Sequence, residues 1–527
     1  LTRWSDLEKA VWDGRAVRKL AMYRDITNSA AEGAYQTYMT EVMAPFRTVA
    51  QALVLKLLAL PDYTPAPEHE QIVRRWRSTA QLIKPEAASL QTEIAVLEGE
   101  YQRITRQIER ACGVVPVPLL ATPAAEALRM AEEAWRAQQV HWLEQRSSLD
   151  DLFLRLLQLR RRLAVSAGVA NYRAYWWQEN AWLDYTPQQA QAFHDAFASE
   201  IVPLVSRWRQ DHAHQLGARD VRPWDLDVQP DQDPPLRPYR SLGELEAGVA
   251  RLFARVDPQL GDLFAQLRPN SLFLGSDGNK MPVNEEFCLF ASKQPYVFVH
   301  TDGSFHDVTL LLHEGGHALH DMLSLAHHDL IWNSTGMADA CTEFAAMTAM
   351  FLPYPYLERD QGGFYSATDA IRAQRAQVER MVAYYLPQQT TEVAFQHWVF
   401  AQSPETITPA DLDKAWQHCM ARFQPDIHWA GLEPAPQAGW HQSQSSFTRP
   451  FSHLGRGLAA FGALQVWQNA RADQATAVAA FKRMLCLGAN RPLPEAYAMA
   501  GARLACSRDS VAAVATMIAP YLRGPHM

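Results

Sequence analysis

The chain has 527 residues, 48% hydrophobic and 20% charged, the balance of a folded globular protein and not of a disordered one. Its 49 basic and 57 acidic residues leave a net charge of −8, which favours solubility and offers no basic footprint for nucleic acid. No apolar run reaches the roughly 18 residues needed to span a bilayer, no signal-peptide pattern is present, and six scattered cysteines without C-x-x-C spacing indicate neither a zinc knuckle nor a disulfide framework; a reducing, cytoplasmic setting is expected.

In chain order, residues up to about Glu200 read as long amphipathic helices. They include Glu86 to Arg110 and Ala124 to Gly168, separated by a turn at Pro116-Val117-Pro118. The run Arg160-Arg161-Arg162 reads as a solvated or salt-bridged helix face. From Gly217 to Pro238 proline and aspartate dominate without periodicity, which predicts a long loop or linker, and helices resume at Leu242. Between Ser271 and Thr301 the pattern changes to the short runs SLFLG, EFCLF and YVFVH, the good strand signals of the chain. An edge strand there could pair with an extended peptide.

From Phe305 to Met322 the apolar residues return to helical spacing and enclose His313-Glu314-Gly315-Gly316-His317. Chance alone would produce an H-E-x-x-H run roughly 0.03 times at this composition. On a helix the two histidines are four apart and share one face, with about 5–6 Å between Cβ atoms, which suits two imidazoles converging on one ion. Glu314 falls on the neighbouring face, placed to take a proton from an attacking water. Gly315 and Gly316 each cost about 1 kcal/mol against alanine in a helix, so a substrate or a second helix is expected to need the room.

A catalytic zinc usually takes three protein ligands. Thr335 to Leu352 reads as a second helix, and Glu343 is its only glutamate; a carboxylate on so apolar a segment is costly unless it meets a cation. Asp339, one turn earlier, could orient a ligand histidine through its second ring nitrogen. His320, His327 and His328 are read as bystanders. After Tyr354 helices continue, punctuated at Pro387 and from Pro404 to Pro409, then by the loop Leu432 to Ser446. The final Gly524-Pro525-His526-Met527 resembles a cloning scar. The organisation expected is an N-terminal helical region 1–216, a linker 217–238 and a metal-binding catalytic region 239–523.

These residues resemble the oligoendopeptidase F and thimet oligopeptidase family of zinc peptidases. The resemblance is carried by YVFVHTDGSFHDVTLLLHEGGHALH (Tyr296 to His320), TEFAAMTAMFL with Glu343, AFQHWVF (Ala394 to Phe400), NYRAYWW (Asn171 to Trp177) and PFSHLGRGLAAFGALQVW (Pro450 to Trp467). It implies a mainly α fold, two helical halves enclosing a deep channel, with one small sheet beside the active-site helix. It also implies zinc on His313, His317 and Glu343.

The chain departs from the family pattern on the oxyanion side. Ser445 stands where the family histidine falls, and Ser452, His453 and Arg456 stand where tyrosines are expected. Losing one oxyanion donor typically costs about 10²–10³ in turnover. His453, Arg456 or His441 could supply replacements, with His453 the first choice; Arg456 would suit a substrate with a free acid group. Ser452 and His300 complete the substrate-side candidates. The function expected is zinc-dependent hydrolysis of peptide or related amide bonds in short substrates. Two alternatives stand beside it: another metalloenzyme of a specialised pathway, including iron(II)-dependent oxidation on the same two-histidine, one-carboxylate set, and a metal-stabilised binding protein. Neither nucleic acid nor membrane is expected as a partner.

Overall fold

A computed structural model describes the chain except residues 62, 85, 113–122, 231–234, 268–269, 277, 336, 403–404, 505–506 and 523–527. The turn expected at Pro116 to Pro118, Cys506 and the tail 524–527 lie outside the described residues. Helices dominate, and the chain divides into two compact units, each assembled from separated stretches: residues 1–80, 236–377 and 458–504 form the first, and 81–235, 378–457 and 505–527 the second. Among the described residues no helix is long and apolar enough to cross a membrane.

The first unit holds one three-stranded sheet built from the three strand-like runs: β1 (Leu272–Leu274), β2 (Glu285–Leu289) and β3 (Gln294–Val299), in the order β1-β3-β2. β1 runs parallel to β3, with Leu272 opposite Val297, and β2 runs antiparallel, with Glu285 opposite Phe298. YVFVH therefore lies in the central strand, hydrogen-bonded on both sides. Strand addition by a peptide is left to the edges, β1 and β2. Val297, Phe298 and Val299 are fully buried, which anchors the sheet beside the helix that follows.

That helix, Phe305–His327, carries the H-E-x-x-H run and is longer than its apolar spacing suggested. Ser304 caps its start, accepting from the His306 N–H at 3.2 Å. Asp307 in the first turn accepts from the N–H groups of Asp302 and Gly303 and from the Tyr239 hydroxyl, so the free amides of the helix start and the turn before it meet a negative charge. The glutamate helix, Asp339–Phe351, packs against it. A separate cluster of Val73, Trp76, Ile331 and Trp332, with Trp4 stacked on Trp76 at 5.2 Å, seals another side of this unit.

The second unit is built on long amphipathic helices, among them Ala87–Cys112, Arg146–Ser166 and Leu386–Val399. The single helix expected from Ala124 to Gly168 is two, Ala124–Glu144 and Arg146–Ser166. Gln145, at φ −91° and ψ 1°, bonds back to Trp142 O three residues away, and neither glycine nor proline marks this break in the sequence. The expected linker is irregular yet packed. Val221, Trp224 and Val228 are buried, and His212 Nε2 lies 3.1 Å from Asp225 O and 3.0 Å from Val228 O. Tyr101, Phe153, Trp440 and Phe447 form an aromatic core, with Tyr101 stacked on Phe447 at 4.0 Å.

The Arg160 to Arg162 run is not a uniformly solvated face. Arg160 is fully buried; it donates to Ser446 O at 2.7 Å and to Phe447 O, and pairs with Glu98 at 3.2 Å. A guanidinium with five donors satisfies those carbonyls better than water could reach them.

Candidate metal centre

The first unit brings His313, His317 and Glu343 together. One ligand atom from each lies within 4.8 Å of the others, and no other such trio of histidine, cysteine or carboxylate groups occurs among the described residues. The two imidazoles are perpendicular, with ring centroids 4.9 Å apart, as the i, i+4 spacing dictates. Glu343 arrives from the neighbouring helix, its Oε2 3.6 Å from His313 Nε2. Two ligands held at 2.0–2.1 Å by a tetrahedral ion are roughly 3.4 Å apart, so the His313–Glu343 pair already has the spacing a zinc ion would require. Each side chain keeps some exposure, 18% for His313 and 13% for Glu343, which leaves a face open for a fourth ligand.

The two glycines explain how the helices come so close. A Cβ on Gly316 would stand 2.7 Å from Ala349 Cβ and 2.9 Å from Ala346 Cα, both on the glutamate helix. The room is taken by a second helix, one of the two occupants expected. A Cβ on Gly315 would instead meet the rings of Phe264 and Phe253, at 2.9 and 3.1 Å.

Glu314 is buried, at 6% exposure. Beside it on β2 is Glu286, whose carboxyl burial pushes well above the usual carboxylate range, with the charges of Asp321, Glu314 and Glu285 adding to the effect. Burial also raises Asp321 to about 7. His320 is enclosed, and burial, reinforced by His317, lowers it to about 3, so it is a neutral ring at physiological pH. His327 Nδ1 lies 2.8 Å from Leu323 O, and His328 Nε2 3.0 Å from Cys486 O, so neither belongs to the donor set.

The remaining candidates are distributed as follows. Asp339 is exposed in the first turn of its helix, and no hydrogen bond joins its carboxylate to either imidazole among the described residues; His313 Nδ1 lies 3.3 Å from the Met350 sulfur. His300 is exposed at the end of β3, its N–H donating to Asn284 Oδ1 at 2.9 Å. His441, Ser445, Ser452, His453 and Arg456 belong to the second unit. There His441 is fully buried, with Nε2 2.8 Å from Asp150 Oδ1, a position that packs the core and meets no solvent. Ser445 is buried, Ser452 and His453 are half-buried, and Arg456 is exposed.

Sequence reasoning passed over Glu392, which is 5% exposed and lies 3.3 Å from His453 Nδ1. Its signal was the i, i+4 spacing of Glu392 and Gln396 among the apolar Val393, Phe395 and Val399, which puts two polar groups on one helix face where they must find partners if buried.

Two histidines and a carboxylate converging from two packed helices, with a buried glutamate between the histidines in sequence, define a metallohydrolase-type centre on a helical fold. The sequence model of peptidase family M3 matches residues 121–256 and 282–516, and the chain belongs to that family of peptidase-type hydrolases. The fold agrees. The structure of PZ peptidase A with inhibitor 2 matches at a TM-score of 0.86 and 18% identity, covering 99% of this chain and 92% of the other. A protein assigned as an oligoendopeptidase F from Bacillus anthracis str. Ames matches at 0.81 and 16%, covering 98% and 90%. The oligoendopeptidase-F of Enterococcus faecium matches at 0.62 and 12%, covering 99% and 90%. No curated protein sequence is detectably similar to the chain.

Proposed function

We propose that this chain is a zinc-dependent peptidase acting on short peptides or related amides, with His313, His317 and Glu343 as the metal ligands. The observation that carries the reading is the convergence of these three donors within 4.8 Å beside Glu314. When bound there, zinc would lower the pKa of its water to about 7 and polarise the scissile carbonyl. Glu314 then takes a proton from the attacking water on its carboxylate and returns it to the leaving amine. Burial of Glu314 keeps that carboxylate out of competing solvent and strengthens its charge interactions. His453 is assigned as the donor on the oxyanion side, with Arg456 for a substrate carboxylate; both assignments draw on the family resemblance. The cysteines Cys112, Cys288, Cys341, Cys419 and Cys486 are free thiols, which supports a reducing, cytoplasmic setting.

Metal analysis of protein purified without added metal, run beside a quenched-peptide panel on wild type and Glu314→Gln, tests the reading. Zinc near one equivalent and a loss of about 10²–10⁴ in turnover with metal retained are expected. Full activity in Glu314→Gln overturns the role of Glu314. Iron with oxygen consumption, or no cleavage anywhere on the panel, overturns the proposed reaction.

A further inference from the structure

His194 and His397 meet in the interior of the second unit, on the helices Pro187–Glu200 and Leu386–Val399. They are 3% and 2% exposed, and their rings cross edge to face with centroids 5.5 Å apart. Aromatic rings complete the enclosure: Trp177 at 5.6 Å and Phe451 at 5.0 Å from His397, and Phe423 at 6.1 Å from His194. Both nitrogens of His397 are buried without a hydrogen-bond partner, so the two imidazoles share no proton, and no hydrogen bond reaches the His194 ring among the described residues. Buried polar groups are nearly always paired, which makes two unpaired imidazoles in contact an exception.

The surroundings disfavour a positive charge on either ring. Burial pushes His194 down to about 3, with Arg422 adding to the effect and Asp195 opposing it; burial also holds His397 well below the usual histidine value, with His194 and Arg173 adding. Arg173, on the helix Tyr172–Glu179, donates to His397 O at 3.3 Å. Arg422, on the helix Pro409–Phe423, is already paired with Asp195. Three charges on the adjoining helices are engaged elsewhere: Arg508 with Glu200, Arg209 with Asp426, and Glu392 with the hydroxyls of Ser443 and Ser445. A proton added to either ring would find no acceptor and would face a guanidinium.

We propose that the contact of His194 with His397 is an acid-operated latch: neutral rings let the helices Pro187–Glu200 and Leu386–Val399 close on each other, and protonation of either ring opens them. Above the ordinary histidine value of about 6.5 the closed form loses nothing. As pH falls below it, the opened form takes up protons that the closed form refuses, and closure weakens about tenfold per pH unit for each ring. The helix Leu386–Val399 also carries Gln396, whose Oε1 accepts the Phe451 N–H at 2.6 Å. Opening therefore also frees Phe451, held at φ 60° just before the helix Ser452–Ala472.

Hydrogen exchange of the whole chain, read by mass spectrometry at pH ~7.5 and ~5.5 and corrected for the intrinsic rate, gives the opening equilibrium of peptides from the two helices. The opening constant should rise on the order of 100-fold between these pH values in wild type, about 10-fold in His194→Leu or His397→Leu, and less than about threefold in the double variant. Leucine suits the apolar cage and removes the titrating ring; glutamine at the same positions serves if a leucine variant does not fold by circular dichroism. Peptides of the helix Asp339–Phe351 in the first unit should respond alike in every variant, which separates the latch from any loss of metal. Unchanged wild-type protection across this range, or the same loss in every folded variant, overturns the proposal.

Discussion

Gly316→Ala separates the packing of the metal centre from its chemistry. The added methyl changes no ligand and does not touch Glu314, yet it would sit 2.7 Å from Ala349 Cβ and must reach the 3.4 Å at which ordinary contact begins. The Ala346 Cα at 2.9 Å is backbone and cannot rotate aside. The glutamate helix therefore has to retreat by about 0.7 Å, more than three times the ~0.2 Å tolerance of a metal–ligand distance. Overpacking of about 1–3 kcal/mol is partly offset by the roughly 1 kcal/mol gained in helix propensity, so the protein should remain folded. Zinc affinity, measured by competition with a chromophoric chelator, should fall by roughly 10- to 100-fold. Gly315→Ala is the control: its methyl meets the rings of Phe264 and Phe253 and not the glutamate helix, so any overpacking falls away from the donors and affinity should stay within about threefold of wild type. Wild-type affinity in Gly316→Ala, or an equal loss in both variants, would refute the argument that the helix approach sets the donor geometry.

Two further outcomes are expected. Glu286 and Asp321 carry carboxyls raised by burial, so each binds its proton more tightly in the folded than in the unfolded chain. Such groups cost little below the unfolded carboxylate range and progressively more as pH rises toward the folded value, about 7 for Asp321. Glu286→Gln or Asp321→Asn should therefore raise the Tm of metal-free protein more at pH ~8 than at pH ~5, and an equal change at both would contradict the assignment. Arg160→Met leaves Ser446 O, Phe447 O and Glu98 without their buried donor and should destabilise the second unit by about 3–5 kcal/mol in denaturant unfolding; a cost below about 1 kcal/mol would show that water replaces the guanidinium.

The legible part of the molecule was that written at short range. His313 and His317 share a helix face because four residues make about one turn, and Glu343 stood out as an acid on an apolar segment. The three strands declared themselves by composition. Where partners came from distant chain, the reading stopped. Nothing local distinguished Arg160 from Arg162, yet one is buried on the carbonyls of Ser446 and Phe447 and the other is exposed. His441 read as a substrate-side donor and is instead sealed against Asp150, 291 residues earlier.

By itself, then, the sequence determined the helical class, the two-histidine motif, a carboxylate to propose beside it and the family to which they belong. Periodicity and spacing encode which side chains share a face of one element, and that suffices to nominate a donor set. Tertiary structure alone decided that β3 is central, that the glycines make room for the glutamate helix, and that Glu392 faces His453. Each of these depends on which elements meet, a choice made by burial and polar satisfaction over hundreds of residues and carried by no local pattern.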